Sequence, residues 1–126
     1  MAMLHDKGLF KYDDKITKYW PEFGQNGKED VMICDVLRHE SGLAWFKNWI
    51  PTLDDCSTAN IKLNKVGEII EKQELHFPEY EDSDSKREYH GMTRGMILNE
   101  IVRRIDPKVR EILIWIFLLE RSMKID

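Results

Sequence analysis

A serine and a lysine stand three residues apart, at Ser83 and Lys86, in the one S-x-x-K pattern of the chain. On a helix this spacing puts both side chains on one face, where the amine could take the hydroxyl proton and make the serine a nucleophile. The flanking residues are acidic and polar and show no apolar helical pattern. We therefore interpret the pair as part of a solvated loop between residues 77 and 88, not as a catalytic motif.

A second group with chemical potential is His39-Glu40-Ser41-Gly42-Leu43. His39 and Ser41 are two residues apart and need not face each other, so a structural role is favoured over a nucleophilic one. The pair His39-Glu40 begins like the zinc motif H-E-x-x-H, but Leu43 stands where the second histidine belongs. The sequence therefore predicts no zinc site here.

The formal net charge is −4 with 33% charged residues. A nucleic-acid-binding domain usually carries a basic stripe, so this balance argues against that class. Arg103, Arg104 and Arg110 do cluster, but Glu100 and Glu111 lie among them. We interpret this cluster as a solvated helix face.

The two cysteines, Cys34 and Cys56, lack C-x-x-C spacing and are too few for a disulfide scaffold. We expect no metal and no cofactor. Two reduced cysteines would fit an intracellular location, which we favour, and the alternative is that Cys34 and Cys56 pair with each other. The first eight residues contain no long apolar segment, so no signal peptide is expected. The longest apolar run, from Ile112 to Leu119, is shorter than the roughly 20 residues of a membrane span.

Several elements can be placed from periodicity and capping signals. The first seven residues are typical of the last turns of a helix, and Gly8 predicts its end. Asp13 and Asp14 are candidate N-caps of a short helix that Pro21 ends.

Three later helices follow from the same signals. Asn60 is a candidate N-cap of a helix whose apolar face includes Leu63, Val66, Ile69 and Ile70. The clearest helix is predicted from about Thr93 to Ile105, with Met92 on its apolar side and Asn99, Glu100, Arg103 and Arg104 on the other. Asp106 and Pro107 predict the start of a further helix over residues 108–124.

Three segments, read in order, resemble the serine β-lactamase, penicillin-binding protein and class C-like esterase superfamily. Residues 3–23 run from Met-Leu-His-Asp-Lys-Gly to Tyr-Trp-Pro-Glu-Phe, similar to the stretch after the family's active-site helix. Residues 36–43, Val-Leu-Arg-His-Glu-Ser-Gly-Leu, are similar to the Leu-Leu-x-His-x-Ser-Gly-Leu loop. Residues 89–98, Tyr-His-Gly-Met-Thr-Arg-Gly-Met-Ile-Leu, resemble the Tyr-x-Asn segment and the helix behind it, most nearly its Tyr-His-Ala variant in animal lactamase-like proteins.

The resemblance implies acyl transfer through a serine ester, with a lysine one turn after the serine and a Lys-Thr-Gly or His-x-Gly strand across the cleft. Tyr89 occupies the position of the tyrosine that moves the leaving-group proton. Gly91 replaces the usual asparagine, which puts a β-lactam-specific role in doubt. The resemblance further implies that the residues shaping the cleft are His39, Ser41, Gly42, His90 and Gly91.

We therefore expect a mainly α fold, the helical subdomain of an α+β serine hydrolase without most of its sheet. The resemblance is strongest over residues 3–107, and residues 108–126 are a divergent C-terminal helix. In the family pattern the serine would precede Met1 and the Lys-Thr-Gly strand would follow Asp126, so the chain is expected to be inactive alone. The alternative is a non-enzymatic helical module that binds a protein partner or itself through residues 112–119.

Overall fold

Short helices joined by long loops make up the part of the chain that the computed structural model describes, residues 1–47, 49–79 and 86–106. Within those residues the only extended pairing is an antiparallel bridge between Lys15 and Met32. The expected mainly α fold is confirmed. The helices are α1 (Ala2–Asp6), α2 (Ile33–Leu37), α3 (Thr58–Lys62), α4 (Lys65–Glu71) and α5 (Thr93–Ile105), with 3₁₀ helices at Ile16–Lys18 and Pro21–Gly24.

The N-terminal segment follows the sequence signals in part. Helix α1 ends at Asp6 with Lys7 as its C-cap, and Gly8 adopts a left-handed φ of 72°, as its position after a helix predicts. The prediction of Asp13 and Asp14 as helix caps is wrong, because Lys15 caps the first 3₁₀ helix. Asp14 accepts hydrogen bonds from the Lys11 amide and the Tyr19 hydroxyl instead, and the second lowers the pKa of its carboxyl.

The helix predicted after Asn60 is two helices. Ser57 caps α3 by accepting a hydrogen bond from the Asn60 amide, and Asn64 then takes a left-handed φ of 62° before α4 begins. The break turns Leu63 outward, where it is 64% exposed. Asparagine tolerates this conformation better than most residues, which allows the turn without a glycine.

Helix α5 has the predicted bounds, and Met96, Ile97, Ile101, Val102 and Ile105 bury its apolar face. Met92, expected on that face, is 64% exposed because it lies before the first turn. Asp106 is the buried C-terminal cap of α5, and the further helix that it is predicted to begin lies outside the described residues.

The interpretation of the arginine cluster as a solvated face is wrong for Glu100, Arg103 and Arg104. Its other members, Arg110 and Glu111, lie outside the described residues. Glu100 is fully buried, and its Oε2 lies 2.6 Å from Arg103 and 2.7 Å from Arg104. Both arginines also donate to Oδ1 of Asn64, at 2.9 and 2.8 Å, and Glu71 accepts from the Trp20 indole at 2.8 Å. The charged residues therefore join α5 to the left-handed turn before α4.

A buried lysine connects the second 3₁₀ helix to the end of α4. The Lys28 ammonium donates to the carbonyls of Gln25 and Glu71, each at 2.8 Å, and to that of Gln73. Burial lowers the pKa of Lys28 to about 8.

The core of this part of the chain is one cluster, formed chiefly by Leu4, Phe10, Ile16, Trp20, Phe23, Ile33, Val36, Leu43, Phe46, Ile70, Ile97 and Ile101. Among the described residues no helix is long and apolar enough to cross a membrane. Ser83, the helix predicted over residues 108–124 and the apolar run 112–119 lie outside the described residues.

Candidate functional site

The Ser-Gly loop after α2 and the segment before α5 are joined by a buried serine–histidine pair. The Ser41 Oγ lies 2.6 Å from Nε2 of His90, and both residues are 1% exposed. On its other side, Nδ1 of His90 lies 2.5 Å from the Glu88 carbonyl oxygen. A carbonyl can only accept, so Nδ1 carries the hydrogen and Nε2 accepts from the Ser41 hydroxyl.

This arrangement fixes a neutral imidazole. Burial lowers the pKa of His90, against the smaller opposing effect of the Glu88 carbonyl. The geometry resembles the serine–histidine half of a catalytic triad, but no substrate can reach a hydroxyl with so little exposure. Ser41 and His90 therefore hold two loops together.

His39 adds a second connection between the same loops. Its φ is +64°, and in this conformation its carbonyl accepts from the Glu88 amide and its Nδ1 from the His90 amide, both at 2.9 Å. A left-handed non-glycine residue costs free energy, which these two hydrogen bonds offset. Burial and the neighbouring Arg94 and Arg87 lower the pKa of His39.

Gly42 is required where the Ser-Gly loop turns. Its φ is +79°, and a Cβ at this position would lie 2.8 Å from Cζ of Phe77 and 3.2 Å from Cδ2 of Leu75. The Gly42 carbonyl accepts from the His76 amide at 2.9 Å. The loop can therefore pack against residues 75–77 only when no side chain stands at position 42.

Tyr89 lies beside His39 and is 77% exposed. Its ring centroid lies 5.1 Å from that of His39. A Cβ on Gly91 would come within 3.3 Å of Cε1 of Tyr89, so the glycine lets the ring lie close to the backbone. The Tyr89 ring is thus packed against His39 and close to the Gly91 backbone, while most of the side chain is open to solvent.

An apolar cleft of about 410 Å³ begins at Tyr89. Thr93, at the start of α5, donates to the Ala44 carbonyl at 3.1 Å and so joins the two sides of the cleft. The walls come from the aromatic loop and from the start of α5: Ala44, Trp45, Phe46, Ile50, Pro51, Tyr89, Gly91, Met92, Thr93 and Met96.

The structure therefore brings Tyr89, His39, His90 and Ser41 together, with Gly42 and Gly91 at the turns beside them. Of the cleft wall, sequence reasoning had named only Tyr89 and Gly91 as site residues. It also missed Arg94, whose Nη1 lies 3.1 Å from Nε2 of His39. Arg94 had a detectable signal, because a cation in the first turn of a helix is disfavoured by the helix dipole.

Neither a metal site nor a cysteine nucleophile is favoured by the described part of the chain. No three histidine, cysteine or acidic side chains there are grouped as metal ligands would be. Cys34 and Cys56 are buried, and burial raises the pKa of both thiols, so neither is an activated nucleophile.

The chain resembles several known proteins over most of its length. It is 28% identical over 105 residues to esterase/beta-lactamase LipL of Mycobacterium tuberculosis, a match of 83% of this chain and 22% of that protein. A penicillin-binding protein homolog from Caulobacter crescentus superposes with a TM-score of 0.66 at 30% identity, covering 83% of this chain and 26% of the other. A family VIII carboxylesterase gives a TM-score of 0.68 at 26% identity, covering 88% and 28%.

The chain thus spans about a quarter of the length of each of these proteins. The Beta-lactamase family model matches residues 1–113. The resemblance seen in the three sequence segments is confirmed, and the chain is a partial domain that belongs to the beta-lactamase family of serine hydrolases.

Proposed function

We propose that this chain forms the helical wall of an ester-hydrolysing serine site, in which Tyr89 transfers the leaving-group proton. The observation that carries the proposal is the position of Tyr89, an exposed phenol at the edge of an apolar cleft. General acid–base catalysis needs such a group within hydrogen-bond reach of the departing oxygen. Partly buried hydrogen bonds of His39 and His90 support the backbone on either side of Tyr89.

An ester with an apolar acyl group is the substrate class that this wall suits best. The cleft is lined largely by aromatic and aliphatic side chains. Gly91 supplies no amide side chain where the family pattern has asparagine, which removes a hydrogen-bonding group suited to an amide or β-lactam. Two of the similar proteins are described as an esterase/beta-lactamase and a carboxylesterase.

We propose that residues 3–107 are the family-like unit and that the 126-residue chain alone does not form an acyl-enzyme. Ser41 is buried and donates to His90. Ser83 lies among acidic residues with no apolar helical pattern around it. Ser41 therefore lacks the exposed hydroxyl that a nucleophile needs, and the sequence around Ser83 does not favour activation by a neighbouring base.

The first experiment is labelling of the chain with a fluorophosphonate, followed by intact-mass measurement. We expect no adduct on the chain or on its Ser83→Ala variant. An adduct on the chain that disappears in Ser83→Ala would contradict the proposal and identify Ser83 as a nucleophile.

The second experiment tests Tyr89 in a complete active site. Residues 3–107 would replace the matching segment of a family VIII carboxylesterase, and hydrolysis of p-nitrophenyl esters would be measured. We expect Tyr89→Phe to lower kcat by about 10²–10⁴-fold. Tyr12→Phe is the matched control, since Tyr12 is partly exposed and packs against His5 and Phe10 instead. A fully active Tyr89→Phe chimera would exclude the proton-transfer role.

A second candidate is the binding module, favoured by the eight consecutive apolar residues 112–119. An apolar sequence run of that kind is typical of helices that dock against a partner. It predicts a concentration-dependent oligomer in gel filtration that Ile114→Glu converts to a monomer. A chain that runs as a monomer at all concentrations would exclude self-association.

A further inference from the structure

Arg94 and His39 direct two hydrogen-bond donors at each other. Nδ1 of His39 accepts the backbone N–H of His90 at 2.9 Å, so it holds the lone pair of the neutral ring. Nε2 must then carry the hydrogen, and a guanidinium can only donate. The 3.1 Å between Nη1 of Arg94 and Nε2 of His39 is therefore a donor-to-donor contact.

The charge around this pair is also unbalanced. Arg94 is the second residue of α5, whose first turn contains no acidic residue, so its cation adds to the positive end of the helix dipole. Glu40, on the neighbouring loop, pairs with Arg87 at 3.0 Å. No ion pair to Arg94 is found within the described residues. A negatively charged acceptor would both accept the hydrogen bonds that now point at each other and offset the positive charge at the start of α5.

We propose that Arg94 and His39 form a binding site for a small oxyanion, a carboxylate or a phosphate, beside Tyr89. Oxygen atoms of such an anion would accept from the guanidinium and from the Nε2 hydrogen, which turns the donor-to-donor contact into two charge-assisted or polar hydrogen bonds. The connection of Nδ1 to the His90 backbone holds the ring in the required orientation. The site does not depend on the proposed hydrolysis, since it needs no nucleophile.

The test is a titration of the 126-residue chain followed by ¹H–¹³C spectra of the histidine rings. Sodium acetate and sodium phosphate are added separately near neutral pH, with sodium chloride at equal ionic strength as the reference. We expect a saturable shift of the His39 signals in the millimolar range with at least one oxyanion. Saturation by acetate alone would assign the site to carboxylates, and saturation by phosphate alone to phosphates.

Matched variants separate binding from general charge effects. Arg94→Gln should weaken binding by about tenfold or more, and Arg94→Lys by less, because lysine keeps the charge without the planar fork. Arg38→Gln removes an exposed arginine outside this site and should leave the affinity unchanged. The His90 signals report whether each variant keeps the loop geometry. No saturable shift beyond that of chloride, or an equal affinity in Arg94→Gln, would overturn the proposal.

Discussion

Ser41 donates to Nε2 of His90 across a separation of 49 residues, with an Oγ to Nε2 distance of 2.6 Å. The bond joins the loop that follows α2 to the segment that leads into α5. The same segment carries Tyr89, so the pair positions an exposed phenol through two side chains that are themselves buried. This explains why a serine and a histidine occur here without acting on a substrate.

Ser41→Ala should destabilise the fold without creating or removing a nucleophile. The variant leaves Nε2 of a buried His90 without its donor, which costs about 1–3 kcal/mol. Urea unfolding of Ser41→Ala, His90→Gln and the double variant would measure the coupling between the two residues. A coupling energy near zero would mean that the hydrogen bond does not hold the loops together.

The stability of the chain should fall as the pH drops below the ordinary range of histidine. Burial lowers the pKa of His90 and of His39 in the folded state. Near pH 6.5 and below, the unfolded chain therefore binds more protons than the folded one, and the free energy of unfolding decreases as the pH falls. Urea unfolding at several pH values would show this slope, which should be smaller in His90→Gln. A free energy of unfolding that rises toward acid pH would contradict the neutral state of these rings.

Glu100→Gln should be among the most damaging conservative changes in the described residues. Glu100 is the buried anion between Arg103 and Arg104. Loss of its charge removes the closest counter-charge of both largely buried guanidiniums and leaves Arg104 with the Glu71 carboxylate at 3.9 Å. Breaking a buried ion pair in this way costs about 3–5 kcal/mol. Glu79→Gln, at an exposed position, is the control and should change the unfolding free energy little. Equal midpoints for the two variants would show that the network is not stabilising.

Gly42→Ala and Gly8→Ala separate backbone strain from steric overlap. Both glycines have left-handed φ, +79° and +72°, but a Cβ on Gly8 has no neighbour within 4 Å. Gly8→Ala should therefore show only the conformational cost of about 1–2 kcal/mol. Gly42→Ala adds the overlap with Phe77 and Leu75, so its thermal midpoint should fall further. Similar midpoints for both would mean that the ring of Phe77 moves aside freely.

The sequence predicted the elements whose signals are local. The bounds of α5 follow from its apolar periodicity and from Pro107, which restricts the residue before it. The burial of Glu100 and its pairing with Arg104 could not be predicted. A charge pattern along one helix does not reveal a partner such as Asn64 from another part of the chain. The break before α4 was missed for a related reason. The sequence does not distinguish an asparagine in a left-handed turn, such as Asn64, from an asparagine inside a helix.

The candidate site shows the same division. The family resemblance implied that His39, Ser41 and His90 shape the cleft and that Tyr89 is the family tyrosine, but not that Ser41 and His90 would be inaccessible. The donor-to-donor contact at Arg94 requires the tautomer of His39, and that tautomer depends on a backbone amide 51 residues away.

The three carbonyls that share the Lys28 ammonium set a limit on how the molecule can open. Gln25 belongs to the N-terminal half of the fold, whereas Glu71 is the last residue of α4 and Gln73 follows it closely. Detaching either side therefore leaves the same cation with too few acceptors. Partial unfolding of one side alone is therefore disfavoured, and the amides of both sides should exchange their hydrogens with a common free energy. The lysine makes two segments more than 40 residues apart in the chain behave as one cooperative unit.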